Sequence, residues 1–286
     1  MTVTVEDYGS DAEVQWCPGC GNFGILTALR RALVELDLAP DRVLLVSGIG
    51  QAPKLVHYLR ANAFNGLHGR EIAAATAARL AAPDLKVLVV GGDGGIYGEG
   101  GNHFLHAVRR NVDLTVLVHD NHYYALTKGQ ASPTTPAGTD ASIHPFGVVA
   151  EPVNALALAI VLGASFVGQG TSGRTDSLVA VLKKAIQHPG FALVNVLQPC
   201  VTWDKVFTFG RYQETTYDLP AEHDPADRDA ALRLVLSPDP DRLPLGVIHT
   251  RSRASFEAAV LGENPSPLRD RPVDPSVAER FFGRFR

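Results

Sequence analysis

Two oxygen-bearing side chains, Asp93 and Asn121, are placed where they could do chemistry. Asp93 lies in Gly91-Gly92-Asp93-Gly94-Gly95, directly after the apolar run 87–90. Asn121 follows Asp120 just past a second apolar run, 114–118. A carboxylate and an amide oxygen are hard donors. They suit Mg²⁺, which takes one or two protein oxygens and completes its octahedron with phosphate oxygens and water. Glycines let backbone N–H groups come close to a phosphate. The stretch 91–135 therefore has the composition of a diphosphate–Mg²⁺ site. Asp-Gly and Asp-Asn are also ordinary turn pairs, so residue types alone leave a plain turn open.

The elements that would position these residues are legible around them. The run 87–90, the glycine turn, a helical pattern over 100–110 and the run 114–118 form one βαβ unit. Asp93 and Asn121 then fall at the carboxyl ends of two parallel strands, the edge at which open α/β sheets bind ligands. Helical periodicity covers 23–36, with Ile25, Leu29, Leu33 and Leu36 on one face. The run 43–46 reads as a strand entering a second glycine turn, Ser47-Gly48-Ile49-Gly50, and 66–70 as a loop. An alanine-rich helix follows over 71–82. Helices over 154–162 and 174–187 alternate with strands over 165–167 and 191–197. Four or five strands alternating with helices predict an α/β fold with a doubly wound, mostly parallel sheet. The segment 130–150, rich in Ser, Thr, Pro and Gly, is expected to be a loop over the site. Residues 1–15 read as a flexible acidic lead, 16–202 as the binding domain and 203–286 as a C-terminal extension. That extension holds an edge strand over 245–249 and an extended arm over 263–286.

Composition narrows the classes. The chain has 286 residues, 45% hydrophobic, with formal net charge −4, enough for a sizeable core. No basic run points to nucleic acid. The N-terminal sequence lacks the basic and apolar regions of a signal peptide. The longest apolar segment, 156–167, is too short to span a bilayer. A cytoplasmic protein is expected, with no membrane or nucleic-acid partner. Three cysteines in such a chain argue against a disulfide framework.

Cys17 and Cys20 form a C-x-x-C before a helix, and Cys200 follows a strand far away. The pair could be a redox couple, a zinc half-site or an iron–sulfur half-site. An acidic coil, not a strand, precedes the motif, which disfavours a thioredoxin arrangement. Zinc and cubane sites each take four ligands, and three cysteines leave a vacancy.

The GDG turn and the strand-ending Asn121 resemble the thiamine diphosphate (ThDP) signature, which implies Mg²⁺ bound by Asp93, Asn121 and the Tyr123 carbonyl. Further motifs are WCPGCG, SGIG, GLHGR, DNxxYxLTKGQxSPTT and a late PCVT, with Tyr217-Asp218-Leu219 and His223-Asp224-Pro225 beyond them. Together, over residues 14–261, they resemble the β subunits of 2-oxoacid:ferredoxin oxidoreductases. The resemblance implies oxidative decarboxylation of a 2-oxo acid on ThDP, with coenzyme A taking the acyl group and ferredoxin the electrons. Gly92, Gly94, Gly95 and the loop to Gly98 would cradle the diphosphate, with His68 beside it. Cys17, Cys20 and Cys200 would ligate an iron–sulfur cluster. The family's fourth cysteine follows SGIG, where this chain has Gln51. A three-iron cluster, a four-iron cluster with Gln51, solvent or a partner residue at the fourth position, and no cluster all stay open. Lys128, in an LTKGQ form similar to that of 2-oxoglutarate enzymes, and Lys54 are candidates to meet the substrate. The resemblance also implies a separate α subunit that supplies the pyrimidine domain, in an α₂β₂ assembly. A non-oxidative ThDP decarboxylase and an inactive scaffold subunit are the competing readings.

Overall fold

The structure, a computed structural model, describes residues 2–236, 239, 241–262, 265–272 and 274–285. Among the described residues, ten strands alternate with helices: β1 (Val43–Ser47), β2 (Asn62–Asn65), β3 (Lys86–Gly92), β4 (Thr115–Asp120), β5 (Tyr123–Tyr124), β6 (Gln130–Ala131), β7 (Phe166–Thr171), β8 (Ala192–Leu197), β9 (Thr216–Asp218) and β10 (Leu243–Thr250). The helices are α1 (Asn22–Glu35), α2 (Glu71–Ala81), α3 (Gly101–Arg110), α4 (Ala155–Leu162), α5 (Thr175–Gln187), α6 (Phe209–Thr215), α7 (Arg228–Val235), α8 (Phe256–Leu261) and α9 (Pro275–Phe282).

Eight strands form one sheet in the order β2-β1-β3-β4-β8-β7-β10-β9. From β2 to β7 every neighbouring pair is parallel. Such strands are covered on both faces and read as unbroken apolar runs. In β3, Leu88 and Val90 join one core with Ile25, Leu29 and Leu33 of α1 and Leu178 and Leu182 of α5. Val87 and Val89 point the other way, to Ile72 of α2, Phe104 and Val108 of α3 and Ile160 of α4. The doubly wound reading therefore holds.

The chain beyond 203 contributes more than the sequence suggests. β10 pairs antiparallel with β7 and parallel with β9, so β9, not the 245–249 segment, is the edge. The sheet thus has eight strands rather than four or five. β2, a short strand with every residue exposed, carries no apolar signal to be found. Residues 2–15 also differ from a loose lead. Tyr8 is fully buried and its hydroxyl donates to the Leu38 carbonyl at 2.7 Å. Ser10 Oγ donates to the His57 carbonyl at 2.8 Å. Of the expected arm, Glu263, Asn264, Val273 and Arg286 lie outside the described residues. The rest includes a helix, α9, capped by Asp274, whose side chain accepts from the Ser276 amide. Arg269 meets Asp84 in a two-pronged pair at 3.1 and 2.7 Å.

Candidate active site

The strand order reverses direction between β1 and β3. The connection after β1 leads outward to β2, and the one after β3 leads the opposite way to β4. The two turns diverge, and a crevice must open between them. A cavity of ≈ 280 Å³ lies there, with Ile49 and Gln51 from the first turn and Gly92, Asp93 and Gly95 from the second among its walls. Asn121, Tyr123 and His68 also line it. The volume lies at the lower end of the roughly 300–1,000 Å³ typical of small-ligand sites.

Asp93 is held from behind. One carboxylate oxygen, Oδ2, accepts from the Ser132 hydroxyl and from Thr134 Oγ1 at 2.8 Å. Oδ1 accepts from no side-chain donor among the described residues, and the residue borders the cavity. Both hydroxyls come from the start of the 130–150 segment, which packs behind Asp93 and contributes no residue to the cavity lining. Thr134 Oγ1 is also 2.7 Å from Asp120 Oδ1. A hydroxyl has one proton, so it cannot donate to both carboxylates at once. Burial first, then the neighbouring Asp120 charge, pushes the Asp93 carboxyl up to about 6. A divalent cation at Oδ1 would offset both effects, so the donor set fits Mg²⁺. Asp120, which the sequence does not mark as functional, is fixed in turn by Asn195 Nδ2, which donates to its Oδ2 at 3.0 Å.

Asn121 is oriented from both sides. Its Nδ2 donates to Gln198 Oε1 at 3.0 Å, and its Oδ1 accepts from the Tyr123 amide at 3.0 Å. The Tyr123 carbonyl accepts from the Ala125 amide at 2.9 Å. The glycines divide by role. A Cβ on Gly92 would meet nothing closer than 3.9 Å, so bareness there keeps the cavity open. A Cβ on Gly94 would strike the Tyr124 ring, so glycine there serves packing.

His68 reaches the cavity from the loop before α2. Its Nδ1 is 2.9 Å from the Ile49 carbonyl and its Nε2 is 3.0 Å from Glu99 Oε2. Both ring nitrogens face oxygen atoms, which fixes the orientation of the ring. Lys54 and Lys128 are not among the cavity-lining residues. Lys128 is exposed, in a left-handed conformation (φ 79°) ahead of Gly129. Glu71, at the start of α2, gives no signal in the sequence among the alanines of its helix. It is 1% exposed, and neither carboxylate oxygen has a hydrogen-bond partner among the described residues. Chiefly its burial raises its carboxyl above the ordinary value.

A second pocket shares Gln51, Asn121 and Ala125 with the first and is lined by Cys17, Cys20 and Cys200. The fold thus gathers cysteines separated by 180 residues of sequence. Gln198 Nε2 is 3.6 Å from Cys20 Sγ, and Thr202 Oγ1 is 3.2 Å from Cys17 Sγ. Burial pushes the Cys20 thiol up to about 11, and the Cys200 and Cys17 charges add to the effect. Among the described residues, no group of three His, Cys, Asp or Glu side chains is placed to hold a single metal ion. A cluster differs in that each thiolate binds its own iron.

Residues 48–196 match the family "Thiamine pyrophosphate enzyme, C-terminal TPP binding domain", and residues 200–263 match the C-terminal family of the pyruvate ferredoxin oxidoreductase β chain. The chain is 40% identical to 2-oxoacid:ferredoxin oxidoreductase 1, subunit beta, of Aeropyrum pernix, across 98% of this chain and 96% of that one. It is 41% identical to the corresponding β subunit of Saccharolobus solfataricus, across 94% and 92%. The structure superposes with a TM-score of 0.88 and 33% identity on 2-oxoglutarate:ferredoxin oxidoreductase from Magnetococcus marinus, solved with 2-oxoglutarate, coenzyme A and succinyl-CoA bound. That match covers 98% of this chain and 91% of the other. No helix among the described residues is long and apolar enough to cross a membrane. With a ThDP-binding domain at the switch point and β-subunit relatives along its whole length, the chain belongs to the β subunits of the ThDP-dependent 2-oxoacid:ferredoxin oxidoreductases, enzymes that act as complexes.

Proposed function

We propose that this β subunit holds the Mg²⁺-diphosphate half of ThDP and passes electrons from a 2-oxo acid, with 2-oxoglutarate favoured, to ferredoxin through an iron–sulfur cluster. The observation that carries the reading is the cluster of Asp93, Asn121 and Tyr123 lining one cavity at the sheet's switch point. Asp93 Oδ1, Asn121 Oδ1 and the Tyr123 carbonyl would hold the metal. Gly92, Gly94, Gly95 and His68 would surround the diphosphate. Cys17, Cys20 and Cys200 would hold the cluster.

When bound, ThDP supplies a nucleophilic carbon and an electron sink for decarboxylation. The chain's own residues orient and neutralise. Thr134 and Ser132 fix the Asp93 carboxylate, Gln198 turns the Asn121 oxygen away from itself, and His68, held between the Ile49 carbonyl and Glu99, would stand beside the diphosphate. Loops 47–51 and 91–95 hold these groups on a rigid sheet edge, so little reorganisation is needed as charge develops.

The kinship with β subunits supports an α subunit that brings the pyrimidine-binding half, in an α₂β₂ complex. The 2-oxoglutarate preference draws on the bound ligands of the Magnetococcus marinus enzyme and on a KorB subunit of Mycobacterium tuberculosis, named a 2-oxoglutarate oxidoreductase and 44% identical over 68% of this chain and 52% of its own. Lys128, exposed here, would meet a distal carboxylate only across that subunit boundary.

The test is coenzyme A-dependent reduction of ferredoxin or a viologen dye by the anaerobic αβ complex, with 2-oxoglutarate and pyruvate compared. Lys128→Ala should raise KM for 2-oxoglutarate far more than for pyruvate. Equal effects would remove its role in specificity. Gln51 at a cysteine position favours one second reading, a non-oxidative decarboxylase. Aldehyde release without coenzyme A dependence would establish it.

A further inference from the structure

Most polar side chains around the cysteine pocket have partners within the protein. Asn22 Oδ1 accepts from His119 Nδ1 at 2.7 Å. Asn121 and Gln198 are paired with each other at 3.0 Å, and Gln198 Nε2 donates to the Pro199 carbonyl at 2.8 Å. Thr202 is on Cys17. Gln51 Oε1 is different. It is shut off from solvent and has no hydrogen-bond partner among the described residues. Leaving a buried carbonyl oxygen unmatched costs about 1–3 kcal/mol, a cost that a bound ligand at this oxygen would offset.

The backbone holds Gln51 firmly. Trp16 Nε1 donates to the Gln51 carbonyl at 2.8 Å, and Trp16 itself precedes the Cys17–Cys20 turn. Pro53 follows at the start of a short helical turn, Ala52–His57. Gln51 lines both the cysteine pocket and the cofactor cavity. It stands in the wall between them.

We propose that Gln51 supplies, through Oε1, the fourth ligand of a four-iron cluster whose other corners are held by Cys17, Cys20 and Cys200. The inference rests on the cluster reading above. Three thiolates leave one corner of a four-iron cluster without a cysteine, and Gln51 carries the free donor. An amide oxygen is harder than a thiolate and binds iron more weakly. It is also neutral, so the cluster carries one less negative charge and its reduction potential rises.

The experiment uses the anaerobically assembled αβ complex as wild type, Gln51→Cys and Gln51→Leu, with iron and sulfide analysis, electron paramagnetic resonance and timed exposure to EDTA. Wild type should hold four irons and lose one selectively, leaving a three-iron signal. Gln51→Cys should lose that iron about 10–100-fold more slowly and titrate at a lower potential. Gln51→Leu should be isolated with three irons. Four irons and equal loss rates in wild type and Gln51→Leu would overturn the role of Gln51 while leaving the cluster in place. So would an unchanged loss rate in Gln51→Cys, which decides the matter if Gln51→Leu does not fold. No iron or sulfide in any of the three would overturn the cluster reading itself.

Discussion

The two neighbouring pockets share a wall but are built in opposite ways. On the cofactor side, Asp93, Asp120 and Asn121 already have protein partners, and the hydroxyls that hold Asp93 come from a loop packed behind it. On the cysteine side, Cys17 is exposed, Cys20 is partly buried with its thiol pushed up to about 11, and the Gln51 oxygen is unmatched. The first pocket is organised when the sheet folds. The second is completed by what fills it. Thiols must give up protons to become ligands, so loading of the cysteine pocket should weaken as pH falls, while the cofactor cavity keeps its shape.

The largest expected effect tests whether the two pockets are separable. Asp93→Asn removes the only carboxylate among the proposed Mg²⁺ donors and should weaken Mg²⁺-dependent ThDP binding to the αβ complex by more than about 100-fold, because even indirect supports of a metal site are worth 10–100-fold. Calorimetry gives the affinity, and iron content should not change. An equal fall in iron would show that the cofactor organises both pockets. Thr134→Val is next. It removes the hydroxyl between two carboxylates and should cost ThDP binding about 10–100-fold, again with iron unaffected. Gln198→Leu is the variant that should move both pockets, each by roughly tenfold, because Gln198 reaches Asn121 on one side and Cys20 on the other. Loss confined to one pocket would show that Gln198 does not link them.

Legibility in the sequence follows the same division. Buried parallel strands such as 87–90 and 114–118 announce themselves as apolar runs. The residues at their ends can therefore be placed at the sheet edge, and with them Asp93 and Asn121. Gln198 and Asp120 act through pairings across the sheet, and nothing local distinguishes them from turn residues. Ser132 and Thr134 are visible only as part of a polar loop, since which hydroxyl folds back on Asp93 depends on tertiary contact. β2 and β9 leave no trace because one is fully exposed and the other has three residues, too short for a two-residue period to show. The buried Tyr8 is masked by acidic neighbours in a segment that composition alone marks as loose.

Glu71 is the exception on the organised side, and its predicted effect is the smallest. Its carboxylate oxygens lie where Cβ atoms on Gly48, Gly91 or Gly95 would meet them within 3 Å, yet they have no hydrogen-bond partner among the described residues. Burial raises its carboxyl above the ordinary 4.5, against the lowering effect of nearby backbone N–H groups and His68. The folded chain therefore binds more protons than the unfolded one as pH rises through and above 4.5, and stability falls across that window. The contribution is fully present below the unfolded value and lost as pH passes the raised folded value. Glu71→Gln keeps the shape without the charge. It should raise stability in urea by about 1 kcal/mol at neutral pH and flatten this part of the pH dependence, with the two chains converging in acid. A variant less stable than wild type at neutral pH would mean that the ionised carboxylate is held by the start of α2. The cofactor side would then be organised without exception.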